Sequence, residues 1–156
     1  MRRPYQLPMT TTINPHWHYH GLRAVILENR LLRVTVLPET GARIHSIVHK
    51  PSDTEFLWHH PRNIPRDVPF GASFDDTFSG GWDELLPTAD ACSFRGEAIP
   101  DHGELWALPW AWQVTTTGEG APCLYTSAAA PITPVRLERW LTLDTQQPQM
   151  HLRYRF

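Results

Sequence analysis

Proline recurs so often along this chain, 15 times in 156 residues, that long helices are excluded over most of it. Each ring removes a backbone donor and clashes with the carbonyl four residues back. Extended strand and turn are what remain, and the hydrophobic pattern agrees. In "LLRVTVLP" (31–38), Leu32, Val34 and Val36 fall on one side and Arg33 and Thr35 on the other, the period of a half-buried strand.

The same reading extends along the chain. "LRAVILEN" (22–29) precedes that strand through a tight connection at Asn29-Arg30, and "PETG" turns into "ARIHSIVHK" (42–50), where Ile44, Ser46 and Val48 alternate with Arg43, His45, Ile47 and His49. A short strand follows at "FLWHH" (56–60). Further strands are expected at 110–118, 122–130, 135–144 and 150–156, with Trp110 and Trp112 sharing one core-facing side. Between them, residues 61–81 are rich in Pro, Gly and Asp and show no periodicity. A loop of that length is expected to be ordered and functional, since compact domains seldom hold more than ~12–15 residues without structure. The expectation is an all-β, antiparallel β-sandwich in a single domain over 1–156, with 1–20 as an irregular N-terminal segment or, over 16–20, an aromatic-rich edge strand.

Charge and apolar content bound the function. Net charge is −2, Lys50 is the single lysine, and no basic stripe exists, so nucleic acid is not an expected partner. No apolar run approaches the ~20 residues that cross a bilayer, which argues against a membrane partner. No apolar stretch follows the two N-terminal arginines, so the expected location is cytoplasmic. Cys92 and Cys123 are too few for a disulfide framework. Seven tryptophans are a high number for this length, and such flat apolar faces can stack on the C–H faces of sugar rings as well as fill a core.

The segment "PDHGELW" (100–106) sets a histidine between two carboxylates and ahead of a tryptophan. Together with "LPETGARIHSIVHK" and "GGWDELLPT", it resembles the N-terminal half of the aldose 1-epimerase (galactose mutarotase-like) family, over roughly residues 22–156. The resemblance implies a truncated galactose mutarotase-like supersandwich, a monosaccharide or sugar-derivative ligand, and interconversion of sugar anomers by ring opening and reclosure. No cofactor and no metal are implied. It places His102 at the family's catalytic His-Gly position, Asp83 and Glu84 in the loop lining the sugar cleft, and Asp101 and Glu104 beside the ring as orienting or hydroxyl-binding acids. Trp82 and Trp106 become the stacking platforms. The family's arginine ahead of His-Gly has only Arg43, Arg62, Arg66 and Arg95 as substitutes. Its second histidine and glutamate base have no counterpart after Trp112. A non-catalytic carbohydrate-binding module is therefore the alternative function.

Two histidine spacings could hold a metal. "HWHYH" spaces His16, His18 and His20 for one face of a strand, and His102, Glu104 and His151 form a nominal two-histidine, one-carboxylate set. A metal-dependent β-barrel enzyme is the third reading. Half a sandwich also leaves unpaired sheet edges, so self-association through them is expected.

Overall fold

The computed structural model describes residues 10–156. The first sheet is a meander of β1 (Thr12–Tyr19), β2 (Leu22–Glu28), β3 (Leu32–Leu37), β4 (Arg43–His49) and β5 (Thr54–Glu55), all antiparallel and in chain order. A four-residue helix α1 (Phe74–Thr77) and a hairpin of β6 (Cys92–Phe94) with β7 (Glu97–Ile99) follow. The second sheet holds β8 (Ala111–Thr116), β9 (Pro122–Ala129), β10 (Arg136–Leu143) and β11 (Met150–Arg155) in the order β11-β10-β9-β8.

One core joins the two sheets. Val25, Leu27, Val34, Val36 and Ile44 from the first meet Leu124, Leu137, Leu141 and Leu143 from the second, with Leu105 and Trp110 between. Each such side chain contributes ~1.5–3 kcal/mol by leaving water. Polar ties reinforce the packing: Thr11 Oγ1 donates to the Leu143 carbonyl (3.2 Å), and Asn29 Nδ2 to that of Asp144 (2.5 Å). The architecture is all-β and antiparallel, two sheets face to face. Among the described residues, no helix is long and apolar enough to cross a membrane.

Four local expectations need correction. Residues 1–9 lie outside the described part, but 12–19 form β1, the edge strand that was the alternative over 16–20 and not an irregular segment, paired to β2 from Thr12↔Glu28 to Tyr19↔Leu22 with an irregularity at Pro15-His16. The strict alternation read along 42–50 breaks at a bulge. Val34 faces Ile47 but Val36 faces Ile44, so His45 is the extra residue and both isoleucines point at the core. The strand expected at 56–60 lies earlier, at Thr54–Glu55, because the Glu55 carboxylate takes the amides of Ile47 (3.0 Å) and Leu57 (2.9 Å) that a continued ladder would use. No strand is expected over 92–99, where the β6–β7 hairpin forms; Arg95 and Gly96 both have positive φ, and an Arg-Gly pair is a weaker turn signal than Asn-Gly.

The long segment 61–81 is ordered, as expected. Ser73 caps α1 by accepting from the Asp76 amide, and Asn63 Nδ2 donates to the carbonyls of Asp76 and Phe78. These contacts fix Phe74 and Phe78, one helical turn apart, on the same side.

Candidate functional site

Glycine geometry brings the two loop motifs together. His102 and Gly103 have φ of 62° and 79°, and a Cβ on Gly103 would lie 2.3 Å from the Leu86 carbonyl oxygen. Only glycine allows that approach. The "PDHG" turn then docks on the end of "GGWDELLPT": the His102 amide donates to the Ala89 carbonyl (3.0 Å) and the Glu104 amide to that of Leu86 (2.8 Å). Gly80 does similar work at the other end, where a Cβ would meet the Trp58 carbonyl oxygen at 2.2 Å. Trp82 is clipped to β4 by reciprocal bonds with Ile44 (3.0 and 2.9 Å).

His102 is the ring with functional geometry. Its imidazole lies flat on Phe74, with centroids 3.9 Å apart and planes 7° apart, and its Nδ1 is 2.8 Å from Asp101 Oδ2. An ionised carboxylate only accepts, so Nδ1 carries the proton in this pair and Nε2 is left for proton exchange. Phe74 continues the stack to Phe78 (4.8 Å, 20°), and Phe78 to Trp58 (6.0 Å, 23°). The result is a column of four rings, His102-Phe74-Phe78-Trp58, open to water at Trp58, which is 59 % exposed. Three of these rings were missed by the sequence reading. Phe74 and Phe78 had a signal in their four-residue spacing inside an aperiodic loop, whereas Trp58 had none.

The other expected site residues divide. Trp106 does not offer a stacking face: it is 2 % exposed and meets Phe74 edge-on (5.1 Å, 86°), so it supports the column from beneath. Glu104 does not face a ligand either. Fully buried, it accepts from the amides of Ile132 (2.5 Å) and Thr133 (3.2 Å) and from the Thr133 hydroxyl (2.7 Å), pinning the 131–134 turn. Asp83 is turned inward onto Arg43 in a two-point contact (2.8 and 2.7 Å), its side chain 2 % exposed, so it is not available to sugar hydroxyls. Burial raises the Asp83 carboxyl above its ordinary range, opposed by the Arg43 charge. Arg43 also donates to Ser79 Oγ and lies 5.5 Å over the Phe78 ring, so this ion pair anchors the column.

Glu84 points the opposite way. It accepts from Arg139 (3.0 Å) and from the Tyr154 hydroxyl (2.5 Å). Burial, with the hydrogen bond to Glu84, pushes the Tyr154 phenol well above its usual range. Trp82, 39 % exposed, shares with Glu84 an open groove of about 320 Å³ closed by Leu86, Leu137 and Tyr154. The expected site is thus two places. Asp101 and His102 belong to the column, Trp82 and Glu84 to the groove, and Asp83-Arg43 links them.

Neither metal arrangement assembles. His20 sits in a turn at φ 50° with its ring edge-on to Tyr19, outside the strand that holds His16 and His18. Glu104 is committed to the 131–134 turn, and His151 lies exposed on β11. Among the described residues, no three His, Cys, Asp or Glu side chains are arranged to hold a metal ion.

No family model matches this chain, and no curated protein does. Among solved structures it is similar to a TPR-domain-containing protein from Parabacteroides distasonis ATCC 8503, at a TM-score of 0.55 and 16 % identity. The match covers 85 % of this chain and 20 % of that one, so the chain spans about a fifth of that protein's length. The likeness speaks for the fold alone.

Proposed function

We propose that this chain binds a monosaccharide or sugar derivative and is of the mutarotase-like class, with aldose 1-epimerase-type interconversion of anomers as its chemistry. The observation that carries the reading is the His102-Asp101 pair seated at one end of a ring column. Anomerisation needs a proton taken from the anomeric hydroxyl and one given to the ring oxygen. An imidazole oriented by a carboxylate can serve either transfer, and such a positioned group contributes ~10²–10⁴-fold. Trp58 and Trp82 offer exposed indole faces for sugar C–H surfaces. A cytoplasmic location goes with this reading, since both cysteines are free thiols.

A second reading, a non-catalytic carbohydrate-binding module, is favoured by one observation. The acids of the two motifs are all engaged: Asp101 with His102, Asp83 with Arg43, Glu84 with Arg139 and Tyr154, Glu104 with the 131–134 turn. A second proton-transfer group would have to come from elsewhere.

Polarimetry on α-glucose and α-galactose, with wild type beside His102→Ala, separates the two. A rate above buffer that the substitution abolishes identifies an epimerase. No rate, but saturable binding of either sugar that weakens in Trp58→Ala, identifies the module. Neither rate nor binding overturns the proposal.

A further inference from the structure

The outer face of the second sheet holds a separate groove. The pairings Trp140↔Tyr125, Trp140↔Arg153 and Thr142↔His151 put these five side chains on one face, since directly paired residues share a side. Their inward neighbours Leu124 and Leu141 belong to the core. The groove has a volume of about 360 Å³, lined among others by Thr116, Cys123, Trp140, Thr142, His151 and Arg153. That volume is within the ~300–1,000 Å³ of small-molecule sites.

Charge distinguishes this groove from the loop sites. On β10 the nearby acid is Glu138, and its carboxylate accepts from Arg155 Nε and from the Tyr125 hydroxyl (2.6 Å). Those two bonds, with the Arg155 charge, hold its pKa down to about 2. Arg153 has no carboxylate partner among the described residues, and its guanidinium lies 5.0 Å over the Trp140 ring. Exposed Arg153 and His151 therefore stand beside an indole wall and the hydroxyls of Thr116 and Thr142.

We propose that this groove binds a small carboxylate carried on a ring, the carboxylate paired with Arg153 and the ring laid against Trp140. A guanidinium fork matches a carboxylate in two-point geometry, and an indole face suits either an aromatic ring or the apolar face of a pyranose. Both sources share that chemistry. The site is distinct from the loops around His102 and does not depend on what they do.

The test is titration followed by the indole N–H resonance of Trp140, assigned with Trp140→Phe. Benzoate and glucuronate are the charged probes, benzamide and glucose their neutral counterparts. At least one acid is expected to bind roughly tenfold more tightly than its neutral counterpart, the order of one charge-assisted contact. Arg153→Gln should erase that preference, Arg153→Lys should keep part of it, and His102→Ala should leave it unchanged. Benzoate alone identifies an aromatic acid as the ligand class, and glucuronate a sugar acid. Equal affinity for neutral and charged probes, a preference that survives Arg153→Gln or vanishes in His102→Ala, or no binding of either acid overturns the proposal.

Discussion

Glu104 stands two residues from His102, yet the two side chains have opposite fates. In a segment as short as "PDHGELW" both read as site residues, because proximity in sequence says nothing about direction. The positive φ at His102 and Gly103 reverses the chain between them, so the imidazole stays half-buried beside Phe74 while the carboxylate enters the interior. There it satisfies two amides and a hydroxyl. Replacing Glu104 with alanine leaves those donors unpaired and is expected to lower stability by about 2–4 kcal/mol, with Glu104→Gln losing less. Urea unfolding of the two variants measures this. A Glu104→Ala protein as stable as its parent would return this residue to the list of possible ligand contacts.

Strand β4 shows how one extra residue changes what an element does. The bulge at His45 turns a side chain expected to alternate towards solvent into a buried one, stacked on His59 at 4.6 Å with Tyr19 alongside. His59 donates from Nε2 to the His45 carbonyl (2.9 Å), so the ring pair ties segment 56–60 to the strand. Burial, with the nearby His59, Arg43 and His20, lowers the His45 pKa to about 4, and Glu55 opposes them. The unfolded ring binds its proton near pH ~6.5. Between about pH 6.5 and 4 the unfolded chain therefore holds the extra proton. This histidine's contribution is present at neutral pH and lost as pH falls through that window. His45→Phe keeps a stacked ring without a titrating group. Its unfolding midpoint should fall less steeply than the parent's on acidification, and parallel curves would rule the mechanism out.

For the whole molecule, the sheet edges are where assembly would take place. β1 and β5 end the first sheet, β8 and β11 the second, and unpaired edges invite further strands. Self-association through them predicts a light-scattering mass that rises with protein concentration. A constant monomer mass argues against it. The overall class was legible because periodicity is local: alternation in "LLRVTVLP" and recurring proline exclude helix and specify which side of β3 meets the core, whatever it packs on. The two-motif docking was half legible. The two motifs were readable, while the positive φ at Gly80, Gly81, His102 and Gly103 that docks them came with the fold. The ring column was not, because Trp58, Phe74 and Phe78 meet His102 only after the loop 61–81 folds back through Asn63 and Ser73. Nor was the inward turn of Trp106, Asp83 and Glu104. Residue type alone determined that this chain would be strands and turns with acids and aromatics in its loops. Which acids pair with Arg43 and Arg139, and which rings remain in water, was decided by long-range packing, because burial and partner choice belong to the assembled sheets and not to any segment.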